Sequence, residues 1–227
     1  MANPKTFHFK LTSANRPPDV KIPELWFPEI QRFIERSSSR RIVDPHFGIR
    51  AVVIHATAGS SSEGAVSVMR DGVASFHWLV PDENENAHGT TVWACIPETR
   101  AAHHVQSQAS NPDINDGKSK VNHWSLGIEI VNTQAQNNPD PFSDWQVEVT
   151  SQIVRYCWAK YPNLTDVISH AKLDPRRRND PGNNFPWNKF KELVLKSPVD
   201  ASILSQIKGV KGASKIKPSK SKEEICS

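Results

Sequence analysis

Two histidines and one aspartate stand where they could share a metal ion. His55 and His170 each follow a short apolar run typical of a buried strand, and Asp180 comes ten residues after His170. Strands of an α/β sheet present functional groups from their carboxyl ends, so both imidazoles could meet at one edge of a sheet. Two histidines and one carboxylate leave a fourth position free for water, which is the ligand count of a catalytic zinc site.

The segment between His170 and Asp180 could return the carboxylate toward the first histidine. It contains Pro175, and the dipeptide Pro181-Gly182 follows Asp180 directly. Proline fixes the backbone φ angle and Pro-Gly favours a turn, so the loop is stiff. The spacing also permits an alternative, because the chain has nine histidines. In that alternative the two histidines are hydrogen-bonded structural residues and Asp180 is a turn residue.

Glu129 lies in the middle of an apolar, strand-like run. Leu126, Ile128 and Ile130 alternate onto one face of that strand, which places Glu129 on the other. A carboxylate in such surroundings is desolvated unless it has a partner, and a cation or a metal-bound water would supply one. The pattern predicts a general base beside a metal-activated water. The alternative is a glutamate that faces solvent on a one-sided sheet.

The elements that must position these residues follow from hydrophobic patterning. Strands are predicted at residues 49–55, 75–80, 91–96, 125–131 and 166–169, and helices at residues 63–70, 144–161 and 187–195. Strands mixed with helices in this order predict an α/β fold, in which helices flank a central mixed β-sheet in a single domain.

Three regions are predicted along the chain. Residues 1–46 are interrupted by prolines and are expected to form an arm that Leu25, Trp26, Phe27 and Ile30 pack on the domain. Residues 47–197 form the catalytic domain, and residues 198–227 form a basic, flexible tail.

Composition excludes several classes of protein. Hydrophobic residues make up 37% and charged residues 23% of the chain, which is too apolar for intrinsic disorder. No apolar run approaches the roughly 18 to 20 residues of a membrane span, and the N-terminus lacks the apolar segment of a signal peptide. We therefore expect no transmembrane segment and a cytoplasmic location. The alternative is that the protein reaches the periplasm or cell wall by a route other than Sec.

The net charge of +4 comes from the C-terminal tail. Residues 205–227 contain six lysines and two glutamates, so the rest of the chain carries no net formal charge. This distribution predicts no nucleic-acid partner, although the tail could bind an anionic polymer or a membrane surface. The three cysteines, Cys95, Cys157 and Cys226, are expected to be reduced thiols. We expect a monomer.

A family resemblance joins these observations. The segments that carry it are Val52 to His55, Ser75 to Val80, Arg100 to His103, Ser125 to Asn132, Tyr161 to Asn163, and Ile168 to Gly182. In this order they resemble the zinc-dependent N-acetylmuramoyl-L-alanine amidases, which include the AmpD enzymes and, more distantly, peptidoglycan recognition proteins and T7 lysozyme. The match spans about residues 49–195. It implies a mixed sheet flanked by helices, and cleavage of the amide between the lactyl group of N-acetylmuramic acid and L-alanine in peptidoglycan or a muropeptide.

The resemblance also assigns roles by position. His55, His170 and Asp180 match the ligands of Zn²⁺, and Glu129 matches the catalytic glutamate of the AmpD-like branch. Arg178 replaces a lysine of the family pattern, where it would bind the oxyanion or a substrate carboxylate.

Other positions depart from the family pattern. His77 and His103 fall at histidine positions of the family and are expected to line the cleft and bind substrate. Ala102 replaces a tryptophan, so the cleft wall should differ there. The competing interpretation is a peptidoglycan-binding module without catalysis, since relatives that have lost a ligand bind stem peptides without cutting them.

Overall fold

The computed structural model describes residues 2–135 and 140–196. The predicted tail, residues 198–227, lies outside the described residues, and so does Cys226. The strands within the described ranges are β1 (His8–Lys10), β2 (Glu24–Trp26), β3 (Ser38–Arg40), β4 (Ala51–Ala56), β5 (Trp78–Val80), β6 (Val92–Ala94), β7 (Arg100–Ala102), β8 (Ser125–Ile130) and β9 (Asp166–Ser169). The helices are α1 (Ile34–Ser37), α2 (Ser62–Arg70), α3 (Val121–Trp124), α4 (Asp144–Lys160), α5 (His170–Leu173) and α6 (Trp187–Leu195).

Seven of these strands form one mixed sheet in the order β1-β9-β4-β8-β5-β6-β2. The four central strands, β9, β4, β8 and β5, run parallel, whereas β1 pairs antiparallel with β9 and β6 pairs antiparallel with β5. β3 and β7 form a separate antiparallel pair. Helices flank this sheet, which confirms the predicted α/β fold class.

The central strands are buried on both faces, as continuous apolar runs in parallel sheets usually are. In β4, Val52 and Ile54 join the core that contains α4 and α6, while Ala51 and Val53 pack on the opposite face. This alternation places the next residue, His55, on the face away from α4 and α6. The strand pattern therefore fixes the side of the sheet on which the candidate ligands lie.

The longest helix, α4, begins and ends close to the predicted positions. Ser143 caps its first turn by accepting the Gln146 backbone N–H, and the Gln146 side chain accepts the Ser143 backbone N–H in return. This reciprocal capping box stabilises the start of the helix. The buried residues of α4, including Ile153, Val154 and Trp158, cover one face of the sheet.

The N-terminal arm contributes strands that the sequence did not reveal. β1 and β2 are the two edge strands of the large sheet, and β3 pairs with β7. Phe27 and Ile30 are buried as predicted, but Leu25 is 60% and Trp26 48% exposed. The expectation that Leu25 and Trp26 pack the arm was wrong, because β2 is an edge strand whose side chains remain largely open to solvent. The domain boundaries at residues 46 and 197 stay predictions.

Across residues 2–135 and 140–196, no helix combines the length and apolar character required to cross a membrane. Cys95 and Cys157 are buried free thiols, in agreement with the expected reduced state.

Candidate active site

Three adjacent parallel strands bring the candidate residues together. In the register of β4 and β8, His55 lies directly opposite Glu129. Ile54 of β4 pairs with Ser169, the last residue of β9, so His170 follows at the same end of the sheet. The carboxyl ends of β4, β8 and β9 therefore present two imidazoles and a carboxylate at one edge of the sheet, where the strand ends were expected to bring the two imidazoles together.

His55, His170 and Asp180 form a compact, buried cluster. The Nδ1 atoms of the two histidines are 3.0 Å apart, and Oδ2 of Asp180 lies 3.2 Å from Nδ1 of His55 and 3.0 Å from Nδ1 of His170. Nitrogen and oxygen ligands about 2.0 to 2.2 Å from a tetrahedral zinc ion are separated by about 3.3 to 3.6 Å. The three facing atoms are therefore spaced closely enough to be ligands of one such ion.

The loop after His170 places Asp180 by backbone contacts. The N–H of Ala171 donates to the backbone carbonyl of Asp180, and the N–H of Gly182 donates to the carbonyl of Asn179. Gly182 has a φ angle of 91°, a conformation that glycine adopts without steric cost. These contacts hold the carboxylate of Asp180 against the two histidines.

The cluster strongly perturbs its own ionisation. Burial by itself would raise the pKa of Asp180, but its close contacts with the imidazoles of His170 and His55 hold that pKa well below its usual value. Burial, followed by the charge of His170, lowers the pKa of His55 to about 4. At neutral pH the cluster therefore offers a carboxylate and an uncharged His55 imidazole, which are the forms that bind metal ions.

Glu129 is partly buried beside the cluster. Burial raises its pKa well above the usual value, the nearby Asp180 adds to this shift, and the positive charge of Arg178 opposes it. A carboxyl group with a raised pKa in a cleft is a candidate for proton transfer. Glu129 lines a cavity and is not fully exposed to solvent, and its role as general base stays a prediction.

One cavity of about 410 Å³ contains these groups. Its polar lining includes the cluster, Glu129 and Arg178, and its apolar lining includes Val68, Val73 and Phe76. Val68 and Val73 are large hydrophobic residues that remain exposed, at 41% and 75%. The site therefore combines a polar floor with an apolar wall, as small-molecule sites commonly do.

The structure places His77 and His103 outside the lining of this cavity. His77 is buried, its Nδ1 accepts the Gly127 N–H at 2.9 Å, and its Nε2 lies 3.1 Å from the Arg100 carbonyl. Both ring nitrogens thus have protein partners. His103 is partly buried, and burial, followed by the charge of Arg100, lowers its pKa. Substrate contacts by these two residues stay a prediction that the geometry does not favour.

His104 is the histidine that sequence reasoning missed. It is buried in the cavity wall, with its Nδ1 atom 3.0 Å from Nε2 of His55. Burial, followed by the charge of His55, holds the pKa of His104 well below the usual value. The doublet His103-His104 directly follows β7, and adjacent residues of an extended segment tend to face opposite sides. The sequence contained this signal but did not say which ring would point inward.

Comparisons with known proteins agree with this arrangement. Residues 45–183, more than half of the chain, match the family model described as N-acetylmuramoyl-L-alanine amidase. The chain is 28% identical to the N-acetylmuramoyl-L-alanine amidase AmiD of Escherichia coli over 160 residues, which is 67% of this chain and 56% of AmiD. It is 32% identical over 82 residues to the 1,6-anhydro-N-acetylmuramyl-L-alanine amidase AmpD of Salmonella typhimurium, covering 36% of this chain and 42% of AmpD. The chain thus spans about half the length of these curated relatives.

Solved structures support the same fold. The complex of E. coli AmiD with the substrate anhydro-N-acetylmuramic acid-L-Ala-D-gamma-Glu-L-Lys superposes with a TM-score of 0.55 and 26% identity, over 76% of this chain and 68% of AmiD. AmpDh3 from Pseudomonas aeruginosa has a TM-score of 0.57 at 24% identity, over 74% of this chain and 69% of AmpDh3, which speaks to the fold alone. The matched region contains the whole ligand cluster and Glu129, and the chain belongs to the N-acetylmuramoyl-L-alanine amidase family.

Proposed function

We propose that this protein is a zinc-dependent hydrolase. It cleaves the amide that joins the lactyl group of N-acetylmuramic acid to the L-alanine of a peptidoglycan stem peptide. The observation that carries this proposal is the convergence of His55, His170 and Asp180 on one point, beside Glu129, in a single cavity. Membership of the N-acetylmuramoyl-L-alanine amidase family supports the choice of this bond.

The donor set fits zinc better than a hard cation. Two imidazole nitrogens and one carboxylate oxygen are typical zinc ligands, whereas magnesium and calcium prefer sites made of oxygen atoms. Three protein ligands also leave a position open, as catalytic zinc sites do. When bound, the ion would supply Lewis acidity and lower the pKa of water.

The protein's own residues have separate roles in this proposal. Glu129 takes a proton from the attacking water and returns it to the departing L-alanine amine, a double role that its raised pKa supports. Arg178 lines the same cavity, where its positive charge stabilises the negative charge that develops on the carbonyl oxygen. His55, His170 and Asp180 would hold the metal.

The substrate is a muropeptide or the intact wall. AmiD has been solved with a substrate that contains anhydro-N-acetylmuramic acid and L-alanine. In this protein, Arg177 and Arg178 give the cavity positive charge, which suits the carboxylates of a stem peptide, and Val73 with Phe76 gives it an apolar surface. The cytoplasmic location and the monomeric state stay predictions.

The test is mass spectrometry of the products formed from intact sacculi and, in parallel, from soluble anhydro-muropeptides. Zinc-loaded protein should release free stem peptides, and a chelator should stop the release. The substrate that is cut faster separates a recycling enzyme from a lytic one. Binding to sacculi without release of peptide would instead support the non-catalytic module.

Replacing the general base sharpens this test. Glu129→Gln keeps the size of the side chain but removes its basicity, so turnover should fall by about 10² to 10⁴ while zinc stays bound. Glu148→Gln makes the same change at an exposed position on α4 and should leave turnover unchanged. Equal turnover in the Glu129 variant and the unsubstituted protein would remove Glu129 from the mechanism.

A further inference from the structure

The second ring nitrogen of His55 points away from the ligand cluster. Its Nδ1 faces His170 and Asp180, whereas its Nε2 lies 3.0 Å from Nδ1 of His104. A neutral imidazole carries one proton, on either nitrogen. His55 can bind a metal through Nδ1 only when that proton is on Nε2, so whatever fixes the tautomer prepares the site.

The contact made by the other ring nitrogen of His104, Nε2, determines where the proton of this ring lies. Nε2 of His104 is 3.2 Å from Oγ of Ser125, and this hydroxyl is 2.7 Å from the backbone carbonyl of Val121. A carbonyl oxygen can only accept, so the single hydroxyl proton of Ser125 is donated to Val121. Ser125 can then only accept from His104, which places the proton of the His104 ring on Nε2.

The tautomer of His104 in turn determines which ring nitrogen of His55 carries the proton. With its proton on Nε2, the neutral His104 ring has a lone pair on Nδ1 and accepts a hydrogen bond there. The donor at 3.0 Å is Nε2 of His55, which must therefore carry the proton. This leaves the Nδ1 lone pair of His55 directed at His170 and Asp180.

We propose that His104 and Ser125 are positioning residues, which hold His55 in the Nε2–H tautomer and so preorganise the metal site. The proposal rests on the proposed function, because it assumes that Nδ1 of His55 binds a metal. Neither residue is required to touch the reacting atoms. Partners of this kind typically change metal affinity by about 10- to 100-fold.

Gly127 supplies the space for the His104 ring. A Cβ atom added to Gly127 would lie 2.7 Å from Cγ and 2.9 Å from Nδ1 of His104, which is closer than real contacts allow. The ring thus packs directly on the backbone of β8, between Ser125 and Glu129. A glycine at this position leaves the space in which the His104 ring packs on β8 and contacts His55.

The first experiment measures the tautomers without any metal. Imidazole ¹⁵N chemical shifts of the zinc-free, full-length protein, labelled at histidine, distinguish a protonated from an unprotonated nitrogen. His55 and His104 should both be Nε2–H tautomers, assigned by comparison with single variants. A His55 ring protonated on Nδ1 would overturn the proposal.

The second experiment measures the affinity for zinc alone by calorimetry. His104→Leu removes the acceptor and should weaken zinc binding by about 10- to 100-fold. His104→Asn keeps an acceptor near the position of Nδ1 and should restore part of the affinity. Ser125→Ala should weaken zinc binding less, because it keeps the His104 ring and only removes the partner that holds this ring in one tautomer.

A matched control separates positioning from general destabilisation. Ser151→Ala also removes a buried hydroxyl that donates to a backbone carbonyl, that of Glu148 at 2.6 Å, but far along α4. It should leave zinc affinity unchanged. If the unsubstituted protein binds no zinc, the proposed function fails; if it binds zinc and His104→Leu binds equally well, only this inference fails. Should His104→Leu not fold, Ser125→Ala and the tautomers of the unsubstituted protein still decide the matter.

Discussion

The two ends of the central sheet both bury polar side chains, but only one end satisfies them internally. At the carboxyl ends of β4 and β9, the facing atoms of His55, His170 and Asp180 lie 3.0 to 3.2 Å apart. All three can act as electron-pair donors. Nε2 of His170 is buried and has no hydrogen-bond partner among the described residues.

The opposite end is organised around Glu98. This residue follows β6, which runs antiparallel to β5, so it lies at the amino ends of the parallel strands. Its carboxylate accepts hydrogen bonds from the hydroxyl of Tyr156 at 2.9 Å, the ammonium of Lys160 at 2.8 Å and the hydroxyl of Tyr161. Burial raises the pKa of Tyr156 to about 12, so its hydroxyl remains a donor at neutral pH.

The difference lies in the balance of donors and acceptors. Around Glu98 each acceptor has a proton to receive, and such a closed network stabilises the fold without a ligand. Around Asp180 several lone pairs face one another, which is unfavourable unless a cation or a shared proton lies between them. Burial alone does not distinguish a structural cluster from a functional one, but this balance does.

Zinc should stabilise the protein through one end of the sheet only. With free zinc about 1,000-fold above its dissociation constant, the free energy of unfolding should rise by about 4 kcal/mol, because the folded state alone binds the ion. Asp180→Ala removes one ligand and should abolish most of this gain. Chemical denaturation with and without zinc measures it.

A substitution of Glu98 should not affect the stabilisation by zinc. Glu98→Ala should keep the full zinc-dependent gain, since Glu98 belongs to the other end of the sheet. An equal gain in Asp180→Ala and the unsubstituted protein would mean that zinc binds elsewhere, and the contrast between the two ends would be lost.

Glu98→Ala should lower the free energy of unfolding itself by about 2 to 3 kcal/mol. Two tyrosine hydroxyls and one ammonium group lose their common acceptor, and hydrogen bonds to a charged group contribute about 1.5 to 3 kcal/mol. The side chain of Lys160 is 41% exposed, so water replaces part of what it loses. Urea denaturation measures the change. The value of kcat/KM for stem-peptide release should stay the same, and a large loss of activity would show that the two ends are coupled.

Much of the candidate site follows from the sequence because it depends on local rules. Strand alternation placed Glu129 on the face of β8 away from Leu126 and Ile128, and the stiff loop returned Asp180 to His170. The strand at residues 166–169 and the helix at 187–195 have the predicted bounds. In each case the sequence pattern that predicts the feature lies within one short segment of the chain.

The arm and the histidine doublet could not be predicted in the same way. β1 and β2 are only three residues long, and their pairing depends on partners far along the chain, such as His8 with Ile168. The choice between His103 and His104 depends on where β7 ends, which its pairing with β3 determines. Such tertiary contacts override local preference in short strands.

Asp166 is a buried carboxylate at the start of β9. Its substitution should change the free energy of unfolding least, and that change should depend on pH. Asp166 accepts hydrogen bonds from His8 at 2.8 Å and from Lys10 at 2.6 Å, both on β1. Burial by itself would raise the pKa of Asp166, but these partners and Thr165 lower it overall. Asp166→Asn keeps the shape of the side chain and loses its charge. At neutral pH we expect it to lower the free energy of unfolding by about 1 kcal/mol.

The sign of the pH dependence follows from the direction of that shift. A carboxyl group whose pKa is lower in the folded than in the unfolded state stabilises the fold above its unfolded pKa of about 3.9. That stabilisation disappears as the pH falls through the folded value. The difference in unfolding free energy between the unsubstituted protein and Asp166→Asn should therefore be constant above about pH 5 and shrink toward zero in more acidic solution. Urea denaturation of both proteins from pH 7 to pH 3 measures this difference. A difference at pH 3 as large as that at pH 7 would mean that the charge of Asp166 does not account for its contribution to the stability of the β1–β9 edge.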